Sequence, residues 1–344
     1  MKIAIYTIIS NNLGNRLQNY AVQHVLEGLG YQVKTIKRKP YPLWKRLKDN
    51  LRVYIKKDRY TNFLIFDRNI QWDYHYLNIN HVPIALNNVY SYFVIGSDQI
   101  WNPTFDFSSN IDYLSFIDSN KIVSYAASFG LYSIPERYRQ MVIDGINHIT
   151  YISVREEAGA KIVKNLTGKD ATVLIDPTMM LDAEEWMVIS KKPRSVNTDI
   201  PYILTYFLGE KNNKIKNDLE RYSKENNLTI YNLNDESQLN VYTSGPGEFV
   251  YLISHSSLVM TDSFHACVFA FLFNKPFLVY ERISSEGSMM SRIDTFLSKF
   301  KLERKYVKNG CENELFECNY ADSYITLKNE RYKTLDFLKA FFKH

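Results

Sequence analysis

The fold class is decided by the opening of the chain, residues 1–36, which read MKIAIYTIISNNLGNRLQNYAVQHVLEGLGYQVKTI. Residues 3–8 form an apolar, β-rich run, and a turn-forming cluster occupies 10–15. A helical repeat of apolar residues follows and stops near Gly28, after which 32–36 is again strand-like. A strand–helix–strand opening favours a parallel sheet with helices on both faces.

The same alternation continues along the chain. Further strands are predicted at 92–95, 121–127, 151–154, 173–175, 202–207, 228–233, 258–261 and 277–280. Helices are predicted at 212–226, 248–256, 264–273, 289–300 and 327–342. This alternation predicts an α/β protein, in which ligands bind at the carboxyl ends of the strands.

A length of 344 residues suits two domains. The polar, proline-containing segment 191–199 is the candidate linker. We therefore predict an N-terminal α/β domain at 1–190 with a basic helical insert at 37–75, a C-terminal α/β domain at 191–325, and a helix at 326–344 that packs back on the N-terminal domain. Both domains are expected to be Rossmann-like and to face each other across a cleft, where ligand sites are common.

Composition excludes several classes of protein. The three cysteines are an odd and sparse set, which makes no disulfide framework and is typical of the reducing cytoplasm. Cys311 and Cys318 lack the close Cys or His neighbours that a zinc site requires, so we expect no metal. No apolar stretch approaches the roughly 18–20 residues that span a bilayer, and no signal peptide is expected.

A basic segment lies at 37–59, where lysines and arginines greatly outnumber acidic residues. Trp44, Leu47 and Leu51 recur in it at helical spacing, which predicts a basic amphipathic helix. Two interpretations stay open: a solvated helix packed through these apolar residues, or a peripheral contact with an anionic membrane surface. Nucleic acid is not expected as a partner, because no recognised binding motif accompanies the basic residues.

The sharpest local feature is TDSFHA (261–266), where a strand ends, the chain turns and a helix begins. The first N–H groups of a helix lack intrahelical partners and attract anions. His265 falls in this first turn, and a histidine can supply a proton at neutral pH. The structural alternative is a capping Asp262 or Ser263 beside a packed, hydrogen-bonded His265.

Three arginines could bind an anion. Arg155 begins a helix directly after a strand, where its guanidinium could hold a carboxylate or phosphate, or pair with Glu156, Glu157 or another acid. Arg282 and Arg292 flank a loop of small residues and could neutralise a phosphate. Ordinary surface arginines would look the same.

Two loops carry groups that suit a sugar. Asn15 lies in the first turn cluster, where it could bind sugar hydroxyls or cap the helix. In the segment 96–102, Asp98 and Gln99 lie beside Trp101, which places polar groups next to an indole. The alternative for this segment is a structural loop in which Asp98 caps a turn.

Taken together and in order, these segments resemble the polysaccharide pyruvyl transferase family. The matching blocks are GNRLQNYA (14–21), GSDQIWN (96–102), YAASFG (125–130), SVREE (153–157), DPT (176–178), GPGEF (245–249), TDSFH (261–265) and SRI (291–293). They run over most of the chain, and the blocks at 96–102 and 261–265 are the more specific.

The resemblance implies a GT-B-like fold of two domains, phosphoenolpyruvate as the donor substrate, a ketal product on a sugar diol, and no metal or other cofactor. It implies His265 as the general acid and Arg155 as a catalytic residue that binds the donor. Ser263 stands where some members of the family carry arginine. Arg282 or Arg292 would then supply the missing cation for the donor.

The expected acceptor is a glycan or a lipid-linked oligosaccharide, handled in the cytoplasm or at the inner face of the membrane. Two other functions stay open. A nucleotide-sugar glycosyltransferase of the same fold would be stabilised against heat by a nucleotide diphosphate. A non-catalytic protein that binds through its basic surface would give a salt-dependent electrophoretic shift and no transfer activity. The sequence leaves the oligomeric state open.

Overall fold

The structure is a computed structural model that describes residues 1–38, 53–77, 82–282, 290–310 and 315–342. The chain divides into two compact units. Unit 1 takes its described residues from Met1–Leu51, Asp67–Met180 and Lys328–His344, and unit 2 takes them from Arg52–Phe66 and Leu181–Leu327.

The strands of both units are short and mostly buried. In chain order they are β1 Lys2–Tyr6, β2 Gln32–Arg38, β3 Trp72–Leu77, β4 Tyr92–Ile95, β5 Ile122–Ser124, β6 Ser153–Val154, β7 Thr172–Val173, β8 Tyr202–Tyr206, β9 Thr229–Asn232, β10 Leu258–Thr261 and β11 Phe277–Val279. Every pairing between these described strands is parallel, which confirms the predicted α/β class.

Helices separate most of these strands. They are α1 Leu13–Gly28, α2 Val53–Phe66, α3 Leu86–Val89, α4 Arg139–His148, α5 Glu157–Thr167, α6 Ala183–Val188, α7 Asn213–Asn226, α8 Leu239–Tyr242, α9 Pro246–His255, α10 Phe264–Leu272, α11 Ser291–Lys299 and α12 Ala321–Phe342. None of the described helices is long and apolar enough to cross a membrane.

Unit 1 is built on a five-stranded sheet in the order β3-β2-β1-β4-β5. The short pair β6-β7 is linked to it by parallel bridges, Val123 with Tyr151 and Ala127 with Val154. Helix α1 begins after the N-cap residue Asn12, whose Oδ1 accepts a hydrogen bond from the Gly14 N–H at 3.0 Å. Because all strands run the same way, their carboxyl ends and the loops that follow them meet at one edge.

Unit 2 has a four-stranded sheet in the order β11-β10-β8-β9. Helix α10 follows the central strand β10, and all of its residues are buried. Phe269 on this helix packs against Trp186 and Phe249, with ring centroids 4.9 Å and 5.8 Å away. This packing holds helix α10 in place. It thereby determines the position of His265, which lies in the first turn of the helix.

The division between the units differs from the predicted boundary at 190/191. The longer segment of unit 2 begins at Leu181, because α6 belongs to this unit through the buried Trp186, which packs on Phe269. The polar segment 191–199 therefore lies inside unit 2. Residues from Lys328 onward belong to unit 1, where Phe341 and Phe342 pack against Tyr92 with ring centroids 5.1 Å and 5.3 Å away.

The predicted helical insert at 37–75 in the N-terminal domain needs correction. Residues 72–77 form strand β3 of unit 1, and α2 belongs to unit 2. The reason lies in contacts between distant parts of the sequence: Arg59 Nη1 donates to the carbonyl of Leu233 at 2.9 Å, and Asn62 Nδ2 donates to that of Thr243 at 2.9 Å. Most of the basic segment, residues 39–52, lies outside the described residues.

Candidate functional sites

In unit 1, polar side chains from separate loops converge at the carboxyl ends of the strands. We call Asn15, Ser97, Asp98, Arg155 and Asp176 the Arg155 cluster. Ser97 and Asp98 follow β4, Arg155 follows β6, and Asp176 lies shortly after β7. All five residues are buried. Asn15, Asp98 and Arg155 are the members with predicted ligand-binding roles, and the structure brings these three together.

Arg155 is the centre of this cluster. Its Nη2 lies 2.7 Å from Oδ2 of Asp176 and donates to Oγ of Ser97 at 2.6 Å. Its Nη1 lies 3.6 Å from Oδ1 of Asp98. Arg155 is 3% exposed, so these are contacts in the interior of unit 1. The acids that hold the guanidinium are therefore distant in sequence, and the neighbouring Glu156 has a different task.

Glu156 secures the loop after β5. Its Oε1 accepts hydrogen bonds from Ser128 Oγ, Phe129 N and Gly130 N at 3.0–3.1 Å. Residues 128–130 (SFG) and the block that contains Glu156 both match the family pattern, but nothing in their spacing indicates that they touch.

Asp98 and Asn15 connect two loops of the cluster. Asn15 Nδ2 donates to Oδ2 of Asp98 at 3.0 Å, and the backbone N–H of Gln99 donates to Oδ1 at 2.9 Å. Gln99 in turn accepts from Asn102 Nδ2 at 3.0 Å. Asn15 and Asp98 are thus oriented by each other, and of the predicted acceptor-binding residues Gln99 is the half-buried one at this edge.

Gly96 makes the turn after β4 possible. Its φ is +113°, and a Cβ at this position would lie 2.6 Å from the carbonyl oxygen of Tyr125. No other residue type fits there without movement of the backbone. This glycine therefore determines where Ser97 and Asp98 can be placed.

Trp101 does not offer a surface to a sugar in this structure. Its indole is fully buried and stacks on Tyr113 with ring centroids 5.7 Å apart, and Phe129 covers it at 5.5 Å. The predicted role in acceptor binding is corrected accordingly: Trp101 is a core residue. A tryptophan beside polar residues has the same local sequence pattern in a core and in a binding cleft, which is why the pattern is misleading here.

In unit 2, the segment Thr261–His265 turns from β10 into α10, and with Arg282 and Arg292 it forms what we call the His265 loop. Ser263 is the N-cap residue of α10, and its backbone N–H donates to Thr261 Oγ1 at 2.9 Å. His265 lies in the first turn and is 4% exposed. The predicted strand–turn–helix arrangement is confirmed.

Asp262 fastens this loop to the neighbouring strand end. Its two carboxylate oxygens accept the backbone N–H groups of Leu208 and Gly209 at 2.7 Å and 2.8 Å. Arg282 grips the same residue, with Nη2 donating to the Asp262 carbonyl at 2.9 Å and Nε 3.4 Å from Oδ2. Asp262 thus anchors the loop to the strand end rather than to α10.

Arg292 lies at the start of α11 and is 5% exposed. Its guanidinium carbon is 5.9 Å from the centroid of the Phe264 ring, a cation–π distance. The small-residue loop between Arg282 and Arg292 falls largely in 283–289, outside the described residues. Two cations therefore belong to the same part of unit 2 as His265.

The described residues offer no ready metal-binding site. Among the described residues, no group of three or more His, Cys, Asp or Glu side chains could hold a metal ion. Burial raises the pKa of the Cys267 thiol on α10 well above its usual value, with the charge of Asp262 adding to the effect, so this thiol is no ready ligand or nucleophile.

Comparison with known families settles the classification. The family model for polysaccharide pyruvyl transferases matches residues 12–284. The chain belongs to the polysaccharide pyruvyl transferase family. It is therefore a transferase, and both the Arg155 cluster and the Thr261–His265 segment lie within the matched region. No curated protein matches the chain.

Solved structures show the fold of this pyruvyl transferase family member. UDP-GlcNAc 2-epimerase from Neisseria meningitidis, bound to UDP-GlcNAc, has a TM-score of 0.53 at 13% identity, covering 99% of this chain and 100% of that one. A putative UDP-N-acetylglucosamine 2-epimerase from Listeria monocytogenes has a TM-score of 0.52 at 12% identity, covering 99% and 97%. The epimerase from Methanocaldococcus jannaschii has a TM-score of 0.51 at 12% identity, covering 95% and 92%. The fold is GT-B-like, as predicted.

Proposed function

We propose that this transferase moves a pyruvyl group from phosphoenolpyruvate to a sugar diol of a glycan, forming a ketal. One observation carries the proposal: within a member of this family, unit 2 holds a histidine in the first turn of a buried helix, beside two arginines at the same end of the sheet. A proton donor and cations are what an enol phosphate requires.

The proposed reaction joins both sugar hydroxyls to one carbon of phosphoenolpyruvate and releases phosphate. A proton is added to the methylene carbon of phosphoenolpyruvate, and a sugar hydroxyl bonds to the adjacent carbon. The C–O bond to phosphate then breaks, and the second hydroxyl closes the ketal. Of the two hydroxyl protons, one restores the acid and the other leaves with inorganic phosphate.

His265 is the proposed acid. Its position is fixed by the buried helix α10, and at 4% exposure little of the residue meets solvent. A positioned acid that transfers a proton in the transition state is typically worth about 10²–10⁴-fold in rate.

Arg282, Arg292 and Ser263 are the proposed partners of the donor's charged groups in unit 2. The first N–H groups of α10 add partial positive charge in the same place. Arg282 is held in position by Asp262, which also costs it part of its net charge. Arg282 and Arg292 are both proposed as contacts of the donor's phosphate.

Arg155 is the proposed partner of the donor's carboxylate, and its contacts supply a competing interpretation. Two carboxylates and one guanidinium give the Arg155 cluster a formal charge of one negative unit. In the competing interpretation, Arg155 positions Ser97 and Asp98 for the acceptor. That His265 and Arg155 act on one ligand stays a prediction. Substitution of Arg155 by lysine separates the two interpretations.

For the acceptor we propose the half-buried Gln99 as the direct contact, with the buried Asn15 and Asp98 positioning its loop, because carboxylate and amide groups suit sugar hydroxyls. A lipid-linked acceptor would bring the enzyme to a membrane surface, and the basic segment 37–59 is the proposed contact. Sedimentation with anionic vesicles at low and high salt tests this point, and an absence of binding at low salt rejects it.

The decisive experiment measures phosphate release from phosphoenolpyruvate in the presence of candidate glycans, with the product examined by mass spectrometry. We expect phosphate and a glycan that is heavier by one pyruvate ketal, in equal amounts. Release of phosphate with no change in the glycan mass would contradict the proposal. Transfer from a nucleotide sugar in place of phosphoenolpyruvate would make the protein a glycosyltransferase.

A further inference from the structure

A cavity of about 350 Å³ opens on unit 2 at a place that the proposed chemistry does not use. Its walls are helix α2, the segment 191–195, helix α8 with the turn after it, and the start of α9. No residue of the His265 loop lines it. Its volume is at the lower end of the range of about 300–1,000 Å³ that is usual for small-molecule sites.

An ion pair forms part of the wall. Lys191 Nζ lies 2.7 Å from Oε1 of Glu248 and donates to Oδ1 of Asn62 at 3.2 Å. The other carboxylate oxygen of Glu248 accepts the N–H of Gly245 at 3.1 Å. Glu248 is only 4% exposed, so this wall is fixed from within the unit.

Helices α2 and α9 approach each other closely beside the cavity. A Cβ on Gly245 would lie 2.8 Å from Cβ of Asn62 and 2.9 Å from its carbonyl carbon. The glycine therefore permits a contact that any other residue would push apart. The GPGEF block (245–249), which matches the family pattern, therefore has a structural role: it allows α2 and α9 to pack closely at this side of the cavity.

The hydroxyl group of Ser244 makes no hydrogen bond to the described residues. The residue lines the cavity and is 2% exposed. Buried hydroxyls are nearly always hydrogen-bonded. The Oγ atom itself is covered in this structure, so it would meet a ligand group only after rotation about χ1 toward the cavity.

The lining narrows the chemistry of the ligand. Its formal charges cancel, since the two cations Lys191 and Arg194 are matched in number by the two carboxylates of Asp58 and Glu248. A phosphate would meet a lysine whose charge Glu248 already balances, and two carboxylates are too few for a metal site of described residues. Most of the other lining side chains are amides and hydroxyls, with Ile65 and Pro193 as the apolar members.

We infer that this cavity binds a neutral pyranose unit of the acceptor glycan, other than the sugar that receives the pyruvyl group. Sugars present many hydroxyls that donate and accept, together with C–H faces, and the cavity offers both complements at no net charge. The inference rests on the proposed function for the identity of the acceptor. A sugar unit bound in this cavity would give the acceptor glycan a further contact with the enzyme, on unit 2. This contact would favour long acceptors over single sugars.

The test follows the side-chain amide signals of Asn62 and Asn240 in the ¹⁵N-labelled full chain. The methyl glycosides of glucose, galactose, mannose and N-acetylglucosamine are titrated one at a time, with no phosphoenolpyruvate present. We expect at least one glycoside to shift both signals saturably. Inorganic phosphate, added in a separate titration, should leave them in place.

Asn240→Trp should fill the mouth of the cavity, since Asn240 is exposed and lines it. We expect this variant to weaken binding at least tenfold, as read from the Asn62 signal. Leu239→Trp is the matched control, because the neighbouring Leu239 is 52% exposed and does not line the cavity. Thr61→Trp, from the α2 wall, is the second blocking variant should Asn240→Trp fail to fold.

Three results would overturn the inference: no shift with any glycoside, an unchanged titration in both blocking variants, or a stronger response to phosphate than to sugars. The variant His265→Gln distinguishes failure of this inference from failure of the proposed function. If His265→Gln abolishes transfer while the wild type shows no glycoside shift, only the cavity inference fails. If the wild type shifts with a glycoside but transfers nothing from phosphoenolpyruvate, only the proposed function fails.

Discussion

Nη2 of Arg155 lies 2.7 Å from Oδ2 of Asp176, and the two residues are 3% and 1% exposed. They come from the ends of different strands, and their contact ties two loops of unit 1 together. An ion pair this deeply buried is costly to break, because the partner left behind keeps an uncompensated charge in a poorly solvated place.

Removing one partner of this pair should therefore destabilise the protein. We expect Arg155→Met or Asp176→Leu to lower the free energy of unfolding by roughly 3–5 kcal/mol, and the double variant to lose less than the sum of the two. Urea denaturation measures this. The exposed pair Arg139–Glu136 is the control, where Arg139→Ala should change stability by under about 1 kcal/mol. A similarly small change in both buried variants would contradict the prediction.

Arg155→Lys separates the two roles proposed for this arginine, because lysine keeps the charge and loses the planar fork. If Arg155 binds the donor, the KM for phosphoenolpyruvate should rise about tenfold or more, the cost of roughly one good charged contact. The KM for the glycan should stay near the wild-type value. A rise in the glycan KM alone would instead make Arg155 a positioning residue for Ser97 and Asp98.

His265→Gln should reduce the rate of pyruvyl transfer by about 10²–10⁴-fold, because glutamine cannot supply the proton. Thermal unfolding should show that the variant is folded. His255→Gln is the matched control, since His255 is exposed at the end of α9, and its activity should equal that of the wild type. Wild-type activity in His265→Gln would remove His265 from the role of acid.

Trp101→Ala should cost about 3–5 kcal/mol of unfolding free energy, because it empties a fully buried site between Tyr113 and Phe129. Trp101→Phe should cost less, since it keeps an aromatic ring there. In the folded Phe variant we expect the KM for the glycan to be unchanged. A selective rise in that KM at wild-type stability would return Trp101 to the acceptor site.

Asp112 should give the stability of the protein an unusual pH dependence. Burial raises the pKa of this carboxyl to about 6, although Arg38 Nη1 lies 3.2 Å from Oδ1 and the Tyr6 hydroxyl and the Ser109 N–H donate to it. The unfolded chain has a pKa near 4, so folding takes up a proton between about pH 4 and 6, and the free energy of unfolding falls as the pH rises through this window. The contribution is at most about 3 kcal/mol.

Asp112→Asn removes this titration. Denaturation at several values between about pH 4 and 7 should show a shallower dependence on pH in the variant than in the wild type. The difference between the two curves isolates Asp112 from the other carboxyls. Parallel curves would show that the carboxyl ionises in the folded state as easily as in water.

Much of the fold could be predicted because its signals are local. The strands at 92–95 and 258–261 have the same bounds in the sequence patterns and in the structure, since a short apolar run between polar loops leaves little choice. Strand β3 was missed, because its polar and aromatic residues resemble the helical segment before it. The His265 turn was predicted from the same kind of local signal, a strand end followed by capping residues and an apolar run.

The sequence by itself determined the α/β alternation, the family and the loops in which candidate residues stand, because periodicity and motifs are properties of neighbouring residues. Only the tertiary structure decided which acids hold Arg155, that Trp101 is buried, and that α2 belongs with unit 2. Each of these depends on a contact between residues far apart in the chain, such as Asn62 with Thr243. Such contacts follow from how whole elements pack, and no local pattern encodes them.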